Sequence, residues 1–452
     1  MALLTRRRLR AATAATALAA ALACGAIAYA DGALDPGFNG GAPRVGTSAE
    51  GLAWSTQSLR IPAVVQSDGR IVVGGQRGGA MTLARFNADG TLDTTYGSGG
   101  FATARFAGTP TSSPGASAAT ALALDPAGNV LAAGFGASQS MVVARFSPAG
   151  GLLGSVVCFA PHLIDYTAYA LAQRPDGGVV VAGSARDRWH GTPYAYYGAR
   201  AVVQVTGGSA ASNGCGTWSA SAATGKPLGS SGVTVDGLAH DGTLLNGALA
   251  GRVYHGVAVR PDGSYVTVAA NGAISSFTTG GAVDTGFGNG GSVTIPTAAL
   301  HAVRSLADGS VLAAGEGTGS GKARQMLVAK LSATGAPAAG FGSAGVVRLL
   351  AGTGNDQGQA LAVQADGRIL VAGGAVVTGN VSSFAVTRLT AAGAPDTTWG
   401  PGGSVVTPVG ATGYATAIVP SALGLAVAGR RADAALGNAS LDVVVTRYTG
   451  GP

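Results

Sequence analysis

One short unit recurs along the chain and leaves few folds open to it. QSDGRIVVGG begins at Gln66, DPAGNVLAAG at Asp125, RPDGGVVVAG at Arg174, RPDGSYVTVA at Arg260, LADGSVLAAG at Leu306 and QADGRILVAG at Gln364. PSALGLAVAG at Pro420 keeps only the strand part, which makes seven copies. An Asp-Gly pair favours a tight turn, because Gly, and less readily Asp, tolerates positive φ. An apolar strand precedes the turn (ALAV, 360–363) and another follows it (RILVAG), so each copy predicts a β-hairpin.

A second hairpin follows each time. MTLARFNADGTLDTTYGSGG (81–100), FAVTRLTAAGAPDTTWGPGG (384–403), MLVAKLSATGAPAAGFGSAG (326–345) and the shorter AISSFTTGGAVDTGFGNGG (273–291) show it. Its last strand is expected to carry the aromatics Tyr96, Phe287, Phe341 and Trp399 as core residues. Two hairpins make four antiparallel strands. A period of 46 to 59 residues, with one gap of 86, is the spacing of propeller blades. The expectation is an all-β, seven-bladed β-propeller of four-stranded antiparallel blades. The chain ends on a third strand, LDVVVTRYTGG (441–451), and GALDPGFNGG (32–41) matches the missing fourth. The N-terminal strand would then complete the last blade and close the ring.

Repeat three is the exception. After ARAVVQV (199–205) comes an irregular stretch, read as an insertion over 207–230, and GVTVDGLAHDGTL at 232 competes for the third strand. The remainder, 31–452, reads as one domain.

Residues 1–30 stand outside the repeats. Arg6, Arg7, Arg8 and Arg10 precede an uncharged apolar stretch ending in Ala28-Tyr29-Ala30, the pattern of a Tat- or Sec-type export signal cleaved before Asp31. A lipoprotein cleavage box at Cys24 fits less well. Removing these residues lowers the formal charge from +7 to +3, too weakly basic for a nucleic-acid protein, and no membrane attachment is expected after cleavage. The expected location is extracellular, at the cell surface or in the periplasm. In an oxidising compartment Cys158 and Cys215 are either a single disulfide, pinning the insertion to blade two, or two buried thiols.

The pattern QxDGRIxVAG…ARxxxxGxLDxxFGxGG resembles the delta-60 repeat, a family of bacterial secreted β-propeller-like proteins. The resemblance spans roughly residues 32–451 and is most specific in repeats one and six. It implies a propeller and export, and it brings no established activity and no catalytic motif.

Arg85 and Asp93 lie symmetrically about a turn, as do Arg388 and Asp396, and Arg447 with Asp35 across the closure. They read as structural cross-strand pairs rather than a ring of ligand-binding arginines. Each Asp-Gly turn offers one carboxylate, too few for calcium. No metal, cofactor, nucleophile-elbow or P-loop motif occurs, and the five histidines are scattered. Variable loops on one face of a rigid ring are where binding usually resides. One of them, 184–200, carries Asp187, Arg188, Trp189, His190 and Tyr194, and the preceding interblade loop adds His162, Asp165 and Tyr166. Aromatic and charged groups together suit a cell-wall glycan or a secreted protein partner, or simply cover the insertion. Three readings follow: a non-catalytic binding or scaffold propeller, a glycan-active lyase or hydrolase using His and Asp near blade three, and a purely structural surface protein.

Overall fold

The computed structural model describes residues 31–47, 50–55, 60–106, 115–136, 140–158, 163–187, 196–203, 208–212, 233–235, 253–318, 323–379, 381–410, 412–432 and 440–450. Residues 1–30, expected to be an export signal, Cys215 and most of the 207–230 stretch lie outside them. Each repeat forms an antiparallel sheet in which consecutive strands are neighbours. Repeat one is Ala63–Val65, Ile71–Arg77, Ala80–Phe86 and Phe101–Ala104. Second and third strands such as Ile71–Arg77 and Ala80–Phe86 are buried on both faces, because neighbouring sheets cover them on either side. That is why their sequences read as unbroken apolar runs. In the turn between the first two strands Gly69 has φ 82° and donates to the Gln66 carbonyl at 2.9 Å, while Asp68 Oδ1 accepts from the Arg70 amide at 3.0 Å.

Seven equivalent blades do not form. Six sheets are complete blades, those of repeats one, two, four, five, six and seven. The sheet of repeat three is not a blade of this kind. It pairs Leu163–Gln173, Val179–Asp187 and Tyr196–Val203, and its outermost strand is only Val233–Val235. Tyr196–Val203 is thus the third strand and 233–235 the fourth. The segment Gly208–Ser212 leaves this sheet and lies parallel to Leu152–Cys158 as a fifth strand on the repeat-two blade. The break is visible in sequence: the stretch between Tyr196–Val203 and Val233–Val235 is far longer than the link before any other fourth strand.

That segment is itself placed differently from expectation. Tyr96, Phe287, Phe341 and Trp399 are buried, at no more than 2% exposure, but they sit in the turn before the fourth strand. The fourth strands follow the glycines: Phe101–Ala104, Ser292–Thr294, Val346–Leu349 and Ser404–Thr407. The same holds at the chain ends. Residues 32–41 form the turn, with Asp35 N donating to the Arg447 carbonyl at 2.9 Å. The strands Arg44–Val45 and Ala53–Ser55 then pair with the C-terminal strand Ser440–Tyr448.

Neighbouring sheets share buried clusters. Met81 and Leu83 of repeat one pack with Val130 and Val142 of repeat two, and Ala84 and Phe101 pack with Ala426 and Val443 of repeat seven. A second device locks the outer hairpins together. Arg85 Nε donates to Asp93 Oδ2 at 2.8 Å, Nη1 donates to the Pro148 carbonyl of repeat two at 2.6 Å, and the guanidinium lies 4.6 Å over the Tyr96 ring. Tyr96 presses against Gly150, where a Cβ would come within 3.1 Å of the ring. Repeat six uses Arg388, Asp396 and Trp399 against Gly450 in the same way. Across the chain ends Arg447 pairs with Asp35 at 2.5 Å, lies 5.3 Å over Phe38 and donates to the Ala88 carbonyl at 2.6 Å.

Degenerate repeats keep the charge and move its source. Leu153 replaces the aspartate in repeat two, and Arg145 Nε turns to Asp125 Oδ2 at 2.8 Å. In repeat four Ser276 replaces the arginine, and Arg260, arriving from the first strand, bonds Ser276 Oγ at 2.7 Å and lies 5.2 Å over Phe287. Phe38 is the closure's counterpart of Trp399. Its replacement by Ala is expected to cost about 3–5 kcal/mol in urea unfolding, as for any buried Phe. A loss below about 1 kcal/mol would show that the N-terminal turn is not part of the cooperative fold.

Candidate functional site

A central channel runs between the first strands of the sheets. In six of these strands a β-bulge interrupts pairing, between Ala119 and Ala121, Ala168 and Ala170, Tyr254 and Gly256, Leu300 and Ala302, Gly358 and Ala360, and Ala415 and Ala417. The residues left out of the ladder are Thr120, Tyr169, His255, His301, Gln359 and Thr416. All six line the channel. A bulge re-aims one side chain without disturbing the rest of a strand, so the fold presents a ring of polar residues inside an apolar scaffold. Glycine closes several bulges sterically: a Cβ on Gly315 would lie 1.9 Å from the Ala299 carbonyl and one on Gly373 1.7 Å from that of Gln357.

Arg60, on the loop into the first strand of repeat one, enters this ring. Its Nη1 donates to the His255 carbonyl at 3.0 Å, and its Nη2 to the carbonyls of Gln359 at 3.1 Å and His301 at 3.4 Å. Burial pulls its pKa down to about 10, so it stays charged at neutral pH. Ile61 and Thr416 exchange two hydrogen bonds at 2.9 and 3.0 Å and hold the loop in place.

Above Arg60, towards the starts of the first strands, lies a chamber of about 390 Å³. Its wall includes Tyr169, His255, His301, Gln357, Tyr414 and Arg430. The imidazoles of His255 and His301 meet with Nδ1 to Nδ1 at 2.9 Å, their ring centres 5.0 Å apart. The nitrogens therefore lie close to the line joining the rings, the geometry of one shared proton rather than of two lone pairs converging on a cation. Burial, and then the nearby His301 and Arg60, push the His255 pKa down to about 3. His301 Nε2 stands 2.9 Å from Glu316 Oε2, but neither atom has an aligned hydrogen bond. The Tyr169 ring packs 5.3 Å from that of His255, and Tyr414 Oη accepts from Ser382 Oγ at 3.1 Å.

A larger cavity, about 830 Å³, opens at the opposite end, among the hairpin turns of repeats two to five. Its arginines are engaged: Arg145 with Asp125, Arg174 with Asp176 and the Thr279 carbonyl, Arg260 with Ser276. Arg174 and Arg260 keep a buried Nε without a hydrogen bond, but their other nitrogens are bonded. Among the described residues no group of three His, Cys, Asp or Glu stands together as a metal site.

The residues singled out from the sequence fall elsewhere or outside the description. Asp165 and Tyr166 lie in Leu163–Gln173, a few residues before Tyr169, and Asp187 pairs with Leu163 at the end of the adjoining strand. His162, Arg188, Trp189, His190 and Tyr194 lie outside the described residues. Cys158 ends a strand of repeat two, while Cys215 lies outside. The site that the structure does assemble uses His255 and His301, which sequence inspection leaves scattered. A signal was present: Thr120, Tyr169, His255, His301 and Gln359 each stand five residues before the first residue of their hairpin-turn unit.

Residues 66–96 and 364–398, in repeats one and six, match the family model described as a domain of unknown function (DUF5122) beta-propeller. No curated protein matches the sequence. Similar solved structures include a protein of unknown function from Bacteroides caccae, 9% identical, covering 61% of this chain and 78% of its own, TM-score 0.33. The Cps50 (Swd1) beta-propeller domain of Myceliophteria thermophila is 10% identical over 89% of this chain and 99% of its own, TM-score 0.43. The Dos1 propeller is 11% identical over 86% and 78%, TM-score 0.42. The repeats, the sheets they form and the family match make the chain a β-propeller repeat protein.

Proposed function

We propose that the protein is an exported, non-catalytic binding propeller whose ligand sits in the channel chamber. One observation carries this reading. The repeat keeps its turns and apolar strands nearly constant, yet the bulge position holds Thr, Tyr, His or Gln from copy to copy. A residue that recurs serves the repeat, whereas a varied polar set at one recurring position is free to serve a ligand. The chamber is in the size class of small-molecule sites, roughly 300–1,000 Å³. Its tyrosine and imidazole rings beside amide and guanidinium donors suit a hydroxyl-rich ligand, such as a terminal unit of a cell-surface glycan. A hydrolase or lyase reading needs a base tuned near neutral pH, and His255, held near 3, is poorly matched to that task.

The test is a thermal-shift screen of residues 31–452 against cell-wall sugars, short peptides and divalent cations, with EDTA as control. A native-state ligand raises the midpoint by mass action. Gln359→Ala, which leaves intact the backbone carbonyl used by Arg60, is expected to abolish the shift and keep the ligand-free midpoint. A shift that survives this change removes the ligand from the chamber. For export, the expected result is secreted protein whose N-terminal residue is Asp31. Protein retained in the cell with Met1 in place overturns that part.

A further inference from the structure

The chamber's charge is unbalanced. Among the described residues, its wall carries two guanidinium groups, Arg60 and Arg430. The one carboxylate at hand, Glu316, is held against His301. Arg60 is committed to three carbonyls through its Nη atoms, and Glu316 is the carboxylate that favours its charge. Arg430 is different. It projects from the second strand of repeat seven, opposite Tyr414 in register, with its guanidinium 5.6 Å from that ring. Its Nε is buried and has no hydrogen-bond partner. A buried donor left unmade is costly, and a charged one more so. Arg174 and Arg260 also bury an unbonded Nε, but their Nη atoms are bonded, whereas the Arg430 guanidinium faces the Tyr414 ring beside a chamber with room for an acceptor.

We propose that the chamber takes a small ligand through a carboxylate seated on Arg430, with the ligand's polar body against Gln357, Gln359 and the Tyr169 and Tyr414 rings. This rests on the chamber being a ligand site and adds the class of ligand. A planar guanidinium pairs with a carboxylate through two parallel N–H donors, and Tyr414 beneath it fixes the plane of approach. A ligand contributing one negative charge also neutralises the remaining excess. Two sources share this chemistry: an acidic sugar, and the free C-terminal carboxylate of a peptide.

Calorimetric titration of residues 31–452 with glucuronate, glucose, an N-acetylated dipeptide and its C-terminal amide separates them. The expected result is a preference of about tenfold or more for one acid over its neutral counterpart. Arg430→Gln is expected to erase that preference and leave the affinity for the neutral counterpart unchanged. Arg430→Lys restores only part of it, because a point charge cannot form the paired contact. Which acid is preferred names the source. Equal affinity for acid and neutral probes, a preference that survives Arg430→Gln, or no binding by either acid overturns the proposal. Glucose binding that is lost in Gln359→Ala would still leave the chamber a ligand site, so the two readings fail separately.

Discussion

Arg388→Ala is expected to lower stability by about 3–5 kcal/mol, the cost of removing one partner from a buried ion pair. The Arg388 side chain is fully buried, with Nε on Asp396 Oδ2 and Nη2 on Asp31 Oδ2, both at 2.8 Å. It also donates to Thr398 Oγ1 at 2.9 Å and covers the Trp399 ring at 4.7 Å. Truncation would leave the Asp396 carboxylate buried with its hydrogen bonds from Thr398 but without its principal cation. It would also uncover the ring that presses on Gly450. Arg368 approaches the same two carboxylates from outside, 3.4 Å from Asp396 and 3.8 Å from Asp31, with 38% of its side chain exposed. Solvent screens that pair, and Arg368→Ala is expected to cost less than about 1 kcal/mol. Urea unfolding of the two variants compares a buried and an exposed cation on one acid. Similar losses would mean that burial and the Trp399 stack add nothing beyond the charge that the two cations share. Arg388→Lys is expected to fall between the two, since an ammonium cannot span both acids while stacking on Trp399.

Much of this frame is legible before folding. The Asp-Gly turns and apolar runs specify hairpins because turn chemistry and burial are local properties, read from adjacent residues. The pairing of Arg85 with Asp93 and of Arg388 with Asp396 is legible for the same reason. Placing Tyr96 and Trp399 in a strand was wrong because their burial comes from the next blade's turn glycine, a neighbour that strand periodicity does not report. The blade count failed at repeat three, where the hairpin-turn motif survives but a long irregular stretch separates the third strand from the short Val233–Val235. A motif for the inner hairpin cannot vouch for the outer one. The chamber was the least legible part. His255 and His301 are 46 residues apart, and each looks like a polar interruption in an inner strand. Only a bulge at the same register in both repeats turns them to the same side, and its marks, a fixed offset from the turn and, for His301, the glycine Gly315 on the facing strand, are read only once the strands are paired.

The imidazole pair predicts how the ring responds to acid. Burial, followed by the charges of His301 and Arg60, depresses His255 from 6.5 to about 3. The groups facing it are Arg60 on the incoming loop, Tyr169 on the neighbouring first strand and His301, with Glu316 behind His301. Only Glu316 would favour a charge on the pair, and it touches the far ring. In the unfolded chain His255 binds a proton near its ordinary value, and in the fold it does not. The unfolded state therefore carries more protons between about 6.5 and 3, and stability rises with pH across that window. The contribution is fully present above about 6.5 and is lost progressively as pH falls towards 3. A depression of this size is worth at most roughly 5 kcal/mol. His255→Gln keeps a polar group at the bulge and removes the titration. Subtracting its urea-unfolding free energies from those of the parent protein, between pH 7.5 and 4, cancels the carboxylates common to both. The expected difference shrinks as pH falls. A constant difference would show that His255 titrates alike in both states.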